Sequence, residues 1–255
     1  MKFGVCTAPE NGAAAAQAGY DFIEVNVQSQ LKGFEGDDAF KGELEKMLKS
    51  PIPCFAANSF IPGNLSITGP SVDRDALKKY TETVFRRANE AGIRIVVFGS
   101  GGARRIPEGF PREQGWSRLI EFGKMIAEMA SKRDVQIVAE PLNKGESNVF
   151  NTVSETAQYV KEINHCNMKL LVDLFHWGKE NDTAEAIIAA GPLLRHVHLG
   201  TLPSRKAPSL EPFDFAPFFK ALKDAGYDRT VSIEAGWGNI TAEMAGALKT
   251  IKDVL

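Results

Sequence analysis

Eight short apolar runs, each followed by a longer amphipathic stretch, constrain this chain more than any other feature of its sequence. The runs span Lys2–Thr7, Asp21–Val27, Ile52–Phe60, Ile93–Gly99, Asp134–Glu140, Asn167–Asp173, Leu194–Leu199 and Arg229–Glu234. They are rich in Val, Ile and Phe, as strands buried on both faces are. Between them lie helical patterns. Asp73–Ala91 carries Leu77, Tyr80, Val84 and Ala88 at helical spacing, Trp116–Lys132 carries Ile120, Met125, Ile126 and Met129, and Phe215–Ala225 ends on Gly226. Ala18-Gly19, Ala91-Gly92 and Ala225-Gly226 each close a helix and lead into a strand, with glycine as the stop. Strict alternation predicts a parallel sheet with right-handed crossovers. Eight units in 255 residues predict one (β/α)₈ barrel, a fold of roughly 250 residues. No linker or low-complexity segment interrupts the chain, so residues 1–255 read as a single domain.

The first strand is not followed by a G-x-G-x-x-G, which argues against a dinucleotide-binding sheet. Gly99-Ser-Gly-Gly102 follows the fourth strand without the Lys-Ser/Thr of a P-loop, and reads as a flexible loop. Net charge is −2, so the basic footprint of a nucleic-acid partner is missing. No stretch approaches the roughly 18 apolar residues of a membrane span, and the N-terminus lacks a signal-peptide pattern. A cytoplasmic location is the expectation. Cys6, Cys54 and Cys166 form no C-x-x-C and read as buried free thiols.

The informative polar residues fall at strand ends. The fifth run ends on Glu140, the sixth on Asp173 with His176 just beyond, the seventh on His196-Val-His198, and the eighth on Glu234. Side chains alternate along a strand and neighbouring strands lie about 4.8 Å apart. Glu140, Asp173, His198 and Glu234 on four adjacent strands would therefore meet at the barrel mouth. Any one of these acids alone would be read as a helix cap or loop anchor. Together they need a counter-charge, because clustered carboxylates repel and are costly to desolvate. One divalent cation supplies it. Three carboxylates and one imidazole suit Mn²⁺, Mg²⁺ or Co²⁺, with Zn²⁺ also compatible. His196, one layer deeper, reads as a hydrogen-bonded core histidine, and His165 as a solvated loop residue.

With these residues in place, the chain resembles the xylose isomerase-like TIM barrels. Within them it is similar to the sugar (phosphate) isomerase/epimerase group, and in pattern to ketose 3-epimerases of the D-tagatose 3-epimerase type. The resemblance rests on Val138-Ala-Glu-Pro-Leu-Asn143, Asp173-Leu-Phe-His176, His196-Val-His198 and Ile233-Glu-Ala235, and covers essentially the whole length. It implies one metal, Mn²⁺ first, held by Glu140, Asp173, His198 and Glu234. It implies that Glu140 and Glu234 also move protons on a keto-sugar through an enediolate. Glu146 ends a Glu-Pro-Leu-Asn-x-x-Glu segment and is implied to contact substrate, as is His176. Arg205, with Lys206 beside it, stands one residue beyond the position of the group's substrate-contacting arginine. Glu24 in Asp21-Phe-Ile-Glu24 resembles a second-strand glutamate that faces the pocket, and Asn64-Leu-Ser-Ile-Thr-Gly-Pro70 a loop before the third helix.

Of the aromatic residues near strand ends (Phe60, Trp116, Phe175, Trp177 and Trp237), Trp237 is the candidate for stacking on substrate. Arg104, Arg105 and Arg205 are the candidates for a substrate phosphate. The resemblance also implies a homo-oligomer, dimer or tetramer, and a small-molecule sugar as the partner, with neither nucleic acid nor membrane. Elimination by a dehydratase or lyase on a keto-sugar or keto-glycoside remains open, since it uses the same metal and base. An AP endonuclease of this fold binds three zinc ions and needs more than the four histidines present.

Overall fold

The computed structural model describes residues 1–255. Eight parallel strands close into a barrel in sequence order: β1 Lys2–Cys6, β2 Phe22–Asn26, β3 Cys54–Asn58, β4 Ile95–Phe98, β5 Gln136–Ala139, β6 Met168–Asp173, β7 Leu194–Leu199 and β8 Thr230–Ile233. Each of the eight expected runs contains one of them. Ten α-helices surround the barrel. They are α1 Gly12–Ala18, α2 Asp37–Lys49, α3 Arg74–Glu90, α4 Gly101–Arg104, α5 Arg112–Ser131, α6 Val153–Ile163, α7 Leu174–Lys179, α8 Ala184–Ala190, α9 Ala216–Asp224 and α10 Ile240–Lys252. The glycines after α1, α3 and α9 take φ of +90°, +78° and +68°, the left-handed conformation that ends a helix without Cβ strain. No helix is long and apolar enough to cross a membrane.

Strand alternation sorts the apolar residues into two environments. Val5, Val25, Val96, Ile137, Val172, Val197 and Val231 point outward and join the helices in two large clusters. Phe22, Ala56, Ile95, Val97, Val138 and Leu171 point inward and pack as a separate plug inside the barrel. The plug depends on Gly4, because a Cβ there would lie 2.1 Å from the Phe22 ring. Above the plug the inward positions turn polar: Glu24, His196 and Ser232, then Glu140, Asp173 and His198, all buried.

Two local expectations change, and one element is new. Gly99–Gly102 is only half loop. It enters α4, with Ser100 at φ +43°. Its glycines serve close packing, since a Cβ on Gly101 would meet the Glu146 carbonyl at 2.7 Å. Val27–Leu31 adds a π-helical turn directly after β2, which its mixed pattern did not announce. Of the three thiols only Cys54 is fully buried; Cys6 is half-buried and Cys166 is exposed. Cys166 lies in the turn before β6, beyond the reach of the core.

Gly4→Ala should force the Phe22 ring out of the plug and cost about 1–3 kcal/mol, the usual penalty for overpacking a core. Urea unfolding of the variant beside wild type measures it, and an unchanged midpoint contradicts the packing described.

Candidate functional site

The acids at the C-terminal ends of β5, β6 and β8 converge with His198 of β7. One ligand-capable atom from each of Glu140, Asp173, His198 and Glu234 lies within 4.8 Å of the others. His198 Nδ1 is 2.9 Å from Glu234 Oε2 and 3.3 Å from Glu140 Oε1. Asp173 is held in two directions. Its Oδ1 caps α7, accepting the Phe175 amide at 2.6 Å and the His176 amide at 3.4 Å, while Oδ2 lies 2.6 Å from Arg205 Nη2. One oxygen thus acts as the helix cap, and the other faces the cluster at the barrel mouth.

Arg205 comes from the loop after β7, at φ +52°, and its Nη2 donates to Asp173 and Glu234, each at 2.6 Å. Its guanidinium carbon stands 5.1 Å from the centre of the Phe175 ring. Burial would lower the Arg205 pKa, but Asp173, Glu234 and Glu140 outweigh it and hold the group firmly charged. Burial likewise works against a proton on His198, yet the charges of Glu24 and Glu234 push its pKa well above the ordinary value. Asp173 shows the converse. Desolvation would raise its pKa, and the neighbouring positive charges, Arg205 first, bring it below the usual range.

The site opens into a cleft of about 290 Å³ lined by Asn58, Glu140, Glu146, His176, Arg205 and Glu234 together with the Gly99–Gly102 segment. His176 is almost wholly buried. Its Nδ1 lies 2.9 Å from Asn143 Nδ2 and 3.3 Å from the Asn143 amide. Both are donors, so Nδ1 accepts and the ring proton belongs on Nε2. That Nε2 is buried and has no partner. Asn143 Nδ2 also donates to Glu146 Oε1 at 2.9 Å, tying two cleft residues to one side chain.

The donor set fits a divalent cation. It offers carboxylate oxygens and the imidazole of His198, whose Nδ1 proton a bound cation would replace, with Arg205 as the fixed positive group beside them. Room is reserved on one side, where a Cβ on Gly99 would fall 2.3 Å from Glu140 Oε2.

Other sequence candidates lie elsewhere. Trp237 is not part of the cleft lining. It packs against the outer apolar cluster on the β8 side. Arg104 is fully buried, 4.8 Å from the Phe150 ring centre, and donates to the Phe98 carbonyl; burial pushes its pKa down to about 10. Arg105 is exposed and faces a different surface groove. His165 is 3.6 Å from Glu128, far from the barrel mouth. His196 is the buried core histidine expected, bonded to Thr230 and Glu24. Two contributors were missed: Asn58, whose Nδ2 donates to Glu234 Oε1 at 3.4 Å, and the π-helical turn that brings Gln28 to the cleft. Asn58 stands at the C-terminal end of β3 much as Glu140 directly follows β5, which was the available signal.

Comparison with known proteins agrees with this architecture. A family model described as "Xylose isomerase-like TIM barrel" matches residues 13–253. The chain is 29 % identical over 178 residues to a D-psicose 3-epimerase of Ruminiclostridium cellulolyticum, a match covering 67 % of this chain and 59 % of that protein. It is 26 % identical over 227 residues to an L-ribulose 3-epimerase of Methylomonas sp., covering 88 % and 76 %. The fold is shared with a crystal structure of D-allulose 3-epimerase from Methylomonas sp. in complex with D-allulose, at a TM-score of 0.84 and 22 % identity over 100 % of this chain and 97 % of that one.

Gly99→Ala should displace the Glu140 carboxylate and weaken Mn²⁺ binding by about tenfold or more, as disturbance of a ligand's setting does. Calorimetric titration with circular dichroism alongside tests this. Undiminished affinity in the folded variant would show that Glu140 is free to move aside.

Proposed function

The chain belongs to the xylose isomerase-like TIM barrel family, and from that premise we propose that it is a metal-dependent ketose 3-epimerase acting on an unphosphorylated sugar. The observation that carries the proposal is the convergence of Glu140 and Glu234 with Asp173 and His198 at the base of one small cleft. The names of the relatives, which act on D-psicose and L-ribulose, support the reaction class.

The hydrogen at C3 of a ketose is weakly acidic because the neighbouring C2 carbonyl can take up the charge. One glutamate carboxylate removes that proton on one face of the sugar. The electron pair moves into the C2–C3 bond and onto the C2 oxygen, giving an enediolate. The second glutamate, in its acid form, returns a proton to C3 on the opposite face, and the configuration at C3 inverts. Glu140 and Glu234 exchange these roles when the reaction runs backwards. A divalent cation held by Glu140, Asp173, His198 and Glu234 would supply positive charge beside the developing oxyanion.

Arg205 and Asn58 steady Glu234 through their hydrogen bonds to it. The unpartnered His176 Nε2–H is a donor for a sugar oxygen, and Glu146 at the rim is an acceptor for a hydroxyl. Arg205 is the one cationic side chain lining the cleft, and its Nη2 is committed to Asp173 and Glu234. No lysine lines the cleft, and Arg104 is turned away. This supports a neutral sugar over a sugar phosphate.

Ketohexoses and ketopentoses incubated with the protein and Mn²⁺ in D₂O should yield C3 epimers carrying one deuterium at C3, read by NMR. An unsaturated or cleaved product would instead establish elimination, and turnover confined to sugar phosphates would overturn the substrate class. Glu140→Gln and Glu234→Gln should each remain folded and lose about 10³-fold or more in kcat, the scale of removing a proton-transfer group. Near-wild-type turnover in either variant would reassign the proton transfers.

A further inference from the structure

Glu24 of β2 occupies a position that neither proton transfer nor substrate binding explains. It is buried at 1 % exposure in the layer below the four convergent donors and does not line the cleft. Its carboxylate reaches across the barrel interior to β7. Oε1 is 2.9 Å from His198 Nε2, and Oε2 is 2.8 Å from His196 Nε2. In the closed strand order β2 and β7 are separated by β1 and β8, so these contacts span the lumen.

A carboxylate only accepts hydrogen bonds. Both imidazoles must therefore present Nε2–H to Glu24. The same rule puts a proton on His198 Nδ1, which faces Glu140 and Glu234; a cation taking that proton's place would meet the Nδ1 lone pair while Glu24 still holds Nε2–H. His196 is itself pinned, with Nδ1 2.8 Å from Thr230 Oγ1 and Ser232 Oγ 3.2 Å from Nε2. Because the second oxygen of Glu24 is bound to this fixed ring, the carboxylate cannot pivot away from His198. Burying an ion costs several kcal/mol unless it is paired and hydrogen-bonded, and an apolar side chain would fill the same space without that cost.

We infer that Glu24, braced by His196, is a positioning residue that fixes the tautomer and ring orientation of His198, so that Nδ1 faces the cation the site would hold. The inference rests on the metal reading given above. A hydrogen-bonded partner behind an imidazole ligand raises the affinity for the metal by about 10–100-fold. Glu24→Gln keeps the shape but offers one acceptor oxygen for two imidazole donors, so one ring must turn or lose its partner.

EDTA-stripped wild type and Glu24→Gln, titrated with Mn²⁺ by calorimetry, should differ by about 10–100-fold in Kd. The far-ultraviolet dichroism in EDTA should be preserved, with the unfolding midpoint lowered by the loss of one buried partner. At saturating Mn²⁺ the variant's kcat should recover towards wild type, whereas a change limited to KM for the ketose would place Glu24 at the substrate and overturn the inference. Unchanged Mn²⁺ affinity in the folded variant would also overturn it while leaving the epimerase reading intact. Failure of wild type to bind Mn²⁺, Mg²⁺ or Co²⁺ would remove both. Should the variant not fold, ¹⁵N imidazole spectra of the Zn²⁺-loaded wild type decide: a proton on His198 Nε2 sustains the inference, and a proton on Nδ1 with metal at Nε2 ends it.

Discussion

Negative charge crowded into a desolvated space governs this molecule. Three carboxylates and a fourth one layer below share the upper interior of the barrel, and Glu24, Glu140 and Asp173 are all buried. Such a cluster is untenable without positive partners. His198 and Arg205 supply them at distances of 2.6–3.3 Å. His198 is the pivot, because its two nitrogens face acids on opposite sides: Glu24 below, Glu140 and Glu234 above. The surrounding glycines follow from the same crowding. Gly99 yields its Cβ space to Glu140, and Gly200 lies where a Cβ would press on Arg205 at 2.9 Å and the Glu234 carbonyl at 3.0 Å.

Much of the fold was legible because strand alternation leaves a mark in composition. Outward positions on β4 to β8 must be apolar to meet helices, while inward positions change from apolar to polar at a definite height. The pair Leu171 and Asp173 shows that step within β6, and Val138 and Glu140 show it across the C-terminal end of β5. Helix ends were readable where glycine takes positive φ, as at Gly19, Gly92 and Gly226. Asp173 was readable as a site residue only through its neighbours, since its other role as the cap of α7 produces the same sequence signature.

What escaped the sequence depended on contacts between distant segments. The link from Glu24 to His196 and His198 joins positions 172 and 174 residues apart, and no local pattern encodes it. Arg104 and Arg105 are adjacent in sequence but opposite in fate. One is enclosed by Phe98 and Phe150, and the other faces solvent. A pair of basic residues therefore said little about a phosphate site until α4 fixed their directions. Trp237 was attractive as a stacking group because it follows Glu234 closely, yet the turn after β8 carries it onto the outer cluster.

The plug formed by Phe22, Ala56, Ile95, Val97, Val138 and Leu171 stops the barrel from being a tunnel. Its six side chains are at most 3 % exposed, so nothing of sugar size crosses from the far end. Arrivals and departures must use one doorway, and a molecule leaving the chamber obstructs the next until it has gone. The plug thus makes the site a cul-de-sac, where accumulated product competes directly with incoming substrate for the same passage.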